Sequence, residues 1–155
     1  MTESLLKKEN MRIRKANLKD IKIIDALNRK YFRERKRNYR ELISSKNSEM
    51  FILEFENKII GFTGLEYHDW NNTAQIIDIF VHPSHREKGY GTKLVKFLVK
   101  YLKNKKYRAL IAEAPSSNPV LILYQKNNFR ICGFNDRYYS NKGKEIALFL
   151  SKELK

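Results

Sequence analysis

The stretch TAQIIDIFVHPSHREKGYG, residues 73–91, joins an apolar segment to a basic loop with two glycines, and it decides the fold of this chain. Its first nine residues are almost all apolar and rich in isoleucine, so they predict a strand buried on both faces. Asp78 is the one charged residue within that strand. Pro83 ends the strand because proline has no N–H to donate. The apolar spacing that follows predicts a helix from about Gly89 to Lys103.

The loop Arg86–Gly91 between this strand and helix has a chemistry of its own. Its two glycines allow a ligand to approach the backbone closely and can adopt positive φ. The first amides of a helix have no acceptor within it, and together with the helix dipole they suit a pyrophosphate. The loop lacks the Gly-Lys-Ser/Thr ending of a Walker loop and the third glycine of the dinucleotide fingerprint. A tight turn with solvated charges is the alternative interpretation.

Hydrophobic periodicity gives the order of the remaining elements. Met11–Arg14 alternates like a short strand, and Asn17 followed by Asp20 is typical of a helix start. The other predicted segments are helices at about 17–31, 33–43, 89–103 and 118–127, and strands at 50–55, 59–67, 73–81, 107–112, 129–134 and 145–150. The order β-α-α-β-β-β-α-β-α-β-β predicts a mixed α/β or α+β domain.

Length and composition are those of one domain, residues 1–155, of which 42% are hydrophobic. No apolar run approaches the ~18 residues of a membrane span. Residues 1–10 are polar, lack the apolar core of a signal peptide and are predicted to be an N-terminal extension. The single cysteine, Cys132, excludes an intrachain disulfide and is predicted to pack in a strand. We therefore expect a soluble, cytoplasmic protein that does not bind a membrane.

The formal net charge of +15 has two interpretations. It indicates either a polyanionic partner, such as a nucleic acid or a phosphorylated cofactor, or a composition rich in lysine, asparagine and isoleucine. The densest basic run, Arg29–Arg40, interleaves aromatic residues with cations, as nucleic-acid surfaces do. The same run is equally typical of a solvated helix face. Helix-turn-helix, zinc-finger and RNA-recognition signatures are absent from the sequence.

Two motifs resemble those of one family. The segment Phe80–Pro83 followed by Arg86-x-x-Gly89-x-Gly91 is similar to the coenzyme A-binding motif of the GNAT superfamily of N-acetyltransferases. That motif is Arg/Gln-x-x-Gly-x-Gly/Ala after a strand ending in Val-x-Pro. Asn118 and the segment LYQKNNF, residues 123–129, resemble a second family pattern, Asn-x-x-Ala-x-x-Leu/Phe-Tyr-x-Lys-x-Gly-Phe. The two motifs together are more specific than either alone, and the resemblance covers about residues 11–150.

The sequence departs from the second pattern at two positions. Leu121 stands where the family usually has alanine, so the packing of that helix must differ. Asn128 stands in place of glycine, and asparagine is the best replacement for glycine at a left-handed helix end. Neither change affects a group that would bind the cofactor.

The resemblance implies a mixed, twisted sheet of about seven strands flanked by about four helices. It implies an N-acetyltransferase that moves the acetyl group of acetyl-CoA directly to a primary amine of a small molecule, protein or peptide, without a metal. The cofactor-binding residues implied are Ile79, Phe80, Val81, Arg86, Glu87, Lys88, Gly89, Tyr90, Gly91, Thr92, Asn118 and Tyr124. The catalytic acid implied is Tyr124, which would donate a proton to the leaving thiolate.

The base that takes the proton from the amine is open to alternatives. Asp78 is a carboxylate in an apolar strand, which suits either a general base or a structural partner of a lysine or arginine. Glu66 on the adjacent strand is the second candidate and Glu113 the third. A chain of water molecules without a single base is a further alternative.

Other functions also stay open. A basic nucleic-acid-associated protein, or an acetyltransferase acting on a tRNA-linked or nucleic-acid-bound amine, would account for the charge. A degenerate member that binds coenzyme A only as a sensor is a third alternative. The resemblance is compatible with a homodimer.

Overall fold

The computed structural model describes residues 10–32 and 36–155, and within these ranges the chain forms seven strands and four α-helices. The strands are β1 (Met11–Lys15), β2 (Ser48–Phe55), β3 (Lys58–His68), β4 (Thr73–Val81), β5 (Ala109–Pro115), β6 (Arg130–Asn135) and β7 (Ala147–Glu153). The helices are α1 (Ile21–Tyr31), α2 (Tyr39–Ser44), α3 (Tyr90–Asn104) and α4 (Val120–Lys126). The predicted order of elements and the mixed α/β class are confirmed.

The strands form one sheet in the order β1-β2-β3-β4-β5-β7-β6. In the described chain every neighbouring pair is antiparallel except β4 and β5, which are parallel and joined through α3. The β4–β5 ladder covers only Thr73–Gln75 opposite 109–111, whereas β5 stays paired with β7 as far as Pro115. Beyond Gln75 the two parallel strands therefore diverge, and a gap opens in the middle of the sheet.

A β-bulge lies in β4 beside this gap. Thr63 of β3 is opposite Ile79, but Leu65 is opposite Ile76, so Ile77 and Asp78 together face the single intervening residue of β3. Thr63 Oγ1 donates to the Asp78 carbonyl at 2.6 Å, which holds the bulge on its β3 side. A bulge bends a strand and increases its twist. It therefore helps β4 to leave β5.

The two faces of the sheet carry separate cores. Phe51 of β2 packs with α3 and α4 on one face, in a cluster that includes Leu98 and Leu102. Ile52, the next residue, packs with α1 and the start of α2 on the other face, in a cluster that includes Ile24. Adjacent strand residues point to opposite faces. The sheet is thus buried between two helical layers.

The predicted start of the first helix is confirmed in its capping. Asn17 Oδ1 accepts from the Lys19 amide at 2.9 Å, and the Asn17 amide donates to Asp20 Oδ2 at 2.8 Å. A short 3₁₀ turn, Leu18–Asp20, precedes α1. Two Arg14 nitrogens each lie 2.8 Å from an Asp20 oxygen, and these hydrogen bonds lower the pKa of Asp20 against the opposing effect of burial.

The second helix was predicted to cover residues 33–43, and its predicted start is wrong. It begins at Tyr39, where Asn38 Oδ1 accepts from the Glu41 amide, while residues 33–35 lie outside the described residues. The aromatic side chains of the basic run pack inward. Tyr31 and Phe32 contact the Phe80 ring with centroids 5.2 and 5.6 Å away. Both side chains are consequently packed against the core and partly buried, and they do not form a free surface for stacking bases.

Three smaller predictions are also corrected. Strand β5 begins at Ala109, two residues later than expected, and α4 begins at Val120. Cys132 is exposed on β6, an edge strand, instead of packed. Residues 1–9 of the predicted N-terminal extension lie outside the described residues. Among the residues that are described, no helix has the length and apolar composition needed to cross a membrane.

A buried carboxylate, Glu49 of β2, ties three elements together. It accepts hydrogen bonds from Tyr67 at 2.7 Å and from Tyr101 at 2.8 Å, and Lys105 and Lys15 lie 3.0 and 3.2 Å away. Burial by itself would raise the pKa of Glu49, but the hydrogen bonds from these four residues outweigh it and lower the pKa to about 2. The ionised carboxylate therefore stabilises the folded state.

We expect acid to remove this contribution. Because the folded pKa lies below the ordinary value of 4.5, the stabilisation is complete above about pH 5 and is lost as the pH falls towards 2. Glu49→Gln should unfold with a free energy lower by about 2 to 3 kcal/mol at pH 7 and should lose less on acidification. Urea unfolding at a series of pH values measures both.

The matched control is Glu153→Gln, since Glu153 is exposed and its nearest cation, Arg130, is 3.9 Å away. This control should follow the wild-type pH profile. A wild-type-to-Glu49→Gln difference that stays constant from pH 7 to pH 3 would contradict the assignment.

Candidate active site

The gap between β4 and β5 is the floor of a cleft with a volume of about 760 Å³. Its walls come from β4, from the loop and first turn of α3, and from β5 with α4. The lining residues are 32, 76–81, 85–87, 89–92, 113–115, 118–120, 122–124 and 126. Segments far apart in sequence thus meet where the parallel ladder ends, which is where α/β sheets commonly bind ligands.

The structure brings together nearly all of the residues that the sequence singled out. Every implied cofactor-binding residue except Lys88 lines the cleft, and so does Asp78. These residues are Ile79, Phe80, Val81, Arg86, Glu87, Gly89, Tyr90, Gly91, Thr92, Asn118 and Tyr124. Lys88 is exposed, and its Nζ lies 3.4 Å from the Ser84 carbonyl oxygen.

The loop before α3 has the backbone that an anion site requires. Gly89 has φ +84° and ψ +5°, a left-handed conformation, and it immediately precedes the helix. The Lys93 amide donates to the Gly89 carbonyl at 3.1 Å as the first bond of α3. The amides of Tyr90, Gly91 and Thr92 therefore have no acceptor within the helix. They face an opening that the helix dipole makes favourable for negative charge.

Side chains fix the loop against its neighbours. Arg86 Nε donates to the Val81 carbonyl at 2.8 Å, and its guanidinium lies 5.8 Å from the centre of the Phe80 ring. A Cβ atom at Gly91 would lie 3.2 Å from Leu123 Cδ2 of α4. The absence of a side chain at Gly91 thus lets α4 pack closely on the first turn of α3.

The opposite wall is set by both ends of α4. Asn118 Oδ1 accepts from the Val120 amide at 2.9 Å, so the predicted cap acts from two residues before the helix. At the other end, Asn128 has φ +65°, and the Phe129 amide donates to the Tyr124 carbonyl at 3.1 Å. This left-handed helix end is the one expected for asparagine in place of glycine. Tyr124, 3% exposed, is held with its ring centre 5.2 Å from that of Phe129.

The three candidate carboxylates lie in different surroundings. Asp78 is 2% exposed; Arg37 Nη2 donates to its Oδ1 at 3.2 Å and Tyr39 OH to its Oδ2 at 3.1 Å. Glu66 is exposed on β3, lies outside the cleft lining, and has its Oε1 3.3 Å from His68 Nε2. Glu113, at the end of β5, is half-buried in the cleft wall and accepts a short hydrogen bond from Tyr139.

Two residues of this site have no local signal in the sequence. Arg37 reaches Asp78 across 41 positions and also donates to the Ile77 carbonyl at 3.1 Å. Tyr139 reaches Glu113 across 26 positions from the β6–β7 connection.

The histidine after β4, His82, is held by Ser84, whose Oγ is 2.7 Å from the His82 Nδ1. The described part of the chain contains no group of three or more histidine, cysteine, aspartate or glutamate residues that could hold a metal ion.

Comparison with known proteins places this arrangement in a family. The acetyltransferase (GNAT) family profile matches residues 19–129. Streptothricin acetyltransferase of Streptomyces lavendulae is 29% identical over 99 residues, which are 62% of this chain and 52% of that protein. The putative ribosomal protein bS18-alanine N-acetyltransferase of Bacillus subtilis (strain 168) is 27% identical over 113 residues, 71% of this chain and 72% of that protein. The match thus spans about half the length of the first relative.

Solved structures share the fold. The ribosomal-protein-S18-alanine N-acetyltransferase of Escherichia coli has a TM-score of 0.79 at 19% identity and covers 93% of this chain and 94% of its own. An N-acetyltransferase of Staphylococcus aureus Mu50 has a TM-score of 0.80 at 23% identity, covering 94% and 99%. The resemblance and fold predicted from the sequence are confirmed. The chain belongs to the acetyltransferase (GNAT) family.

Proposed function

We propose that this chain, as a single domain, is an acetyl-CoA-dependent N-acetyltransferase that acts on a primary amine of a small molecule, protein or peptide. The observation that carries this proposal is the divergence of β4 from β5 directly beside the free first amides of α3. A gap with backbone on both sides suits a narrow, extended ligand arm. The helix start at one end of the gap suits its phosphate groups.

The residues present fit coenzyme A. The amides of Tyr90–Thr92 would hold the pyrophosphate, and the β4 backbone at residues 79–81 together with Asn118 would hold the pantetheine arm. Acetyl-CoA supplies an acetyl thioester with a carbonyl oxygen that gains negative charge and a thiolate that leaves. Backbone amides aimed at that oxygen stabilise the charge as it develops.

Tyr124 is the proposed acid. Its side chain lines the cleft from α4 and is almost fully buried, so it is excluded from solvent and held in one place. A phenol has an ordinary pKa of ~10 and a thiol of ~8.5, so donation to a departing thiolate is uphill by only about 2 kcal/mol. That cost is small beside the barrier of an uncatalysed acyl transfer.

Glu113 is the proposed base, directly or through water. The carboxylate of Asp78 is already hydrogen-bonded to Arg37 and Tyr39 in the protein interior, so removing it for proton transfer would break a buried pair. The Glu66 carboxylate lies outside the cleft. Glu113 lies in the cleft wall opposite β4, with one carboxylate oxygen held by Tyr139. Asp78 is then a positioning residue that holds the bulge in β4.

The charge around the cleft favours some amine acceptors over others. The relatives act, by their names, on streptothricin and on an alanine of a ribosomal protein. The β6–β7 connection, which reaches the cleft through Tyr139, also carries Arg137, Lys142 and Lys144. These cations and the net charge of +15 repel a polycation. The charges therefore favour the amine of a peptide or a weakly charged small molecule over that of a polyamine.

We assign the protein to the cytoplasm, where acetyl-CoA is available.

We also expect a homodimer. Edge strand β6 exposes Ile131 at 50% and Phe134 at 70%, and an exposed apolar edge strand is a surface that proteins normally cover. Sedimentation velocity of the wild type and of Phe134→Asp tests this contact. A monomeric wild type would refute the dimer without affecting the proposed activity.

The test of the proposed function is calorimetry of acetyl-CoA binding at low and moderate salt, followed by acetyl transfer to a panel of peptide, small-molecule and polyamine amines. We expect micromolar affinity that survives moderate salt. No binding, or binding with no transfer to any amine, would refute the enzymatic proposal.

Substitution of the loop glycines should strongly weaken this binding. Gly89→Val forces a β-branched residue into φ +84°, and Gly91→Val places its Cβ against Leu123, so both should weaken acetyl-CoA binding by at least ~10-fold. Gly133→Val is the control because a Cβ there meets nothing within 4 Å and φ is not positive. Circular dichroism verifies folding. Wild-type affinity in folded Gly89→Val would refute the role of the loop.

The acid and base are tested by turnover. Tyr124→Phe and Glu113→Gln should each lower kcat by roughly 10²-fold or more, with acetyl-CoA affinity within a few-fold of the wild type. Tyr107→Phe, which loses only a hydroxyl bound to Asp69 outside the cleft, should keep full turnover. Unchanged kcat in either cleft variant would remove that residue from the mechanism.

Asp78→Asn separates positioning from catalysis. It leaves Arg37 without its ionic partner in a partly buried site, so the free energy of unfolding should fall by about 2 kcal/mol or more. Thermal unfolding measures this loss. A variant as stable as the wild type but inactive with every amine would instead identify Asp78 as the base.

A further inference from the structure

A second groove, of about 600 Å³, lies on the helical face that carries α3 and α4. One side is the C-terminal half of α3, and the other is the end of α4 with the residues that follow it and one side chain of β7. Its lining residues are Val95, Lys96, Val99, Lys100, Lys103, Asn104, Lys126, Asn127, Asn128 and Lys152. The proposed transfer reaction uses none of them.

Five of these ten residues are lysines, and none of the described residues lining the groove is acidic. Lys152 Nζ donates to the Asn127 carbonyl at 3.0 Å and is held in place. Lys96, Lys100 and Lys103 are exposed and make no hydrogen bond or ion pair with any residue of the described ranges. The groove therefore presents uncompensated positive charge.

The exposed lysines of α3 repel one another. Lys96, Lys100 and Lys103 are spaced four and three residues apart, so they lie on one face of the helix. Like charges at this spacing destabilise a helix. Favourable interaction with the negative helix C-terminus applies only to the last turn, which contains Lys103 but not Lys96. A bound polyanion would relieve the repulsion that the fold leaves unbalanced.

The geometry selects the kind of polyanion. The three α3 lysines span about 10 Å, seven residues at 1.5 Å each, which equals about three steps of 3.4 Å along a nucleic-acid strand. The groove has no aromatic side chain among its described lining residues, so it cannot stack unpaired bases. Asn104, Asn127 and Asn128 add amides of the kind that bind phosphate and sugar oxygens. Exposed large apolar side chains for insertion into a lipid surface are likewise absent from this lining.

We infer that the groove between α3 and α4 binds the phosphodiester backbone of a double-stranded nucleic acid. This binding goes beyond acetyl transfer and is independent of it. It differs from the surface that the sequence suggested, where Tyr31 and Phe32 pack against the Phe80 ring. Lys126 lines both the groove and the cleft, so a bound duplex would lie on the α4 side of the cofactor cleft.

The experiment measures binding of labelled duplex RNA and duplex DNA of identical sequence, about 16–20 base pairs long, by fluorescence anisotropy without acetyl-CoA. The groove variant is Lys96→Gln/Lys100→Gln/Lys103→Gln. The matched control is Lys22→Gln/Lys46→Gln/Lys58→Gln, which removes the same charge from exposed lysines away from both cavities. Glutamine has a helix propensity close to that of lysine, so both variants should fold.

We expect the groove variant to bind at least ~10-fold more weakly at about 0.1 M salt, with the slope of log K against log salt shallower by about 2 to 3. The control should stay within about 3-fold of the wild type. Comparison of the RNA and DNA arms identifies the natural source of the backbone. Melting temperature should be unchanged or higher in the groove variant, since like charges are removed.

Four outcomes would overturn the inference. These are no wild-type binding at about 50 mM salt, an equal loss in both variants, competition by polyglutamate as strong as by duplex, and a several-fold higher KM for acetyl-CoA in the groove variant. The second would indicate net charge alone, the third an acidic protein partner, and the fourth a part of the cofactor site. None of the first three bears on the proposed transferase activity, which calorimetry tests separately.

Discussion

The short parallel ladder between β4 and β5 is the constraint on which the site depends. Three residue pairs hold the strands together, and beyond them each strand keeps its outer neighbour while losing the inner one. Backbone groups left without a partner are costly when buried, so such a gap persists only where a ligand or water satisfies them. The α3 crossover places a helix start at the same gap. Backbone geometry, more than any single side chain, thus defines where the cofactor can lie.

The bulge in β4 is held by hydrogen bonds from a neighbouring strand and from a segment outside the sheet. Thr63 binds its backbone from β3, while Arg37 binds the Ile77 carbonyl and the Asp78 carboxylate from the segment between α1 and α2. A carboxylate inside an apolar strand is costly unless it is paired. Because Arg37 makes this pair, the shape of β4 depends on the segment between α1 and α2. In the proposed mechanism the Asp78 carboxylate therefore supports the shape of β4, and proton transfer is assigned to Glu113.

Local signals were enough to predict the order of the elements and most of the residues that line the cleft. Gly89, Gly91 and Asn118 act on the local backbone, through a left-handed conformation, close helix packing and a cap, so a short motif can identify them. Which of the candidate carboxylates already has a hydrogen-bond partner could not be predicted in this way. Asp78 and Glu113 are hydrogen-bonded to residues 41 and 26 positions away, and no local pattern indicates those partners. The start of α2 and the inward packing of Tyr31 and Phe32 are likewise tertiary effects that periodicity does not encode.

The two halves of helix α3 offer different groups to negatively charged ligands. Its first turn offers backbone amides to a small anion, and its C-terminal half offers lysine side chains on the groove that it forms with α4. The two kinds of site respond differently to salt, because amides in a cleft are shielded by the protein whereas exposed lysines are screened by ions. A net charge of +15 alone would favour any polyanion equally. Three exposed lysines on one face of α3 concentrate this general attraction at the groove with α4. The two cavities share only Lys126 among their lining residues, so the proposed polyanion site and the proposed cofactor site use different parts of α3.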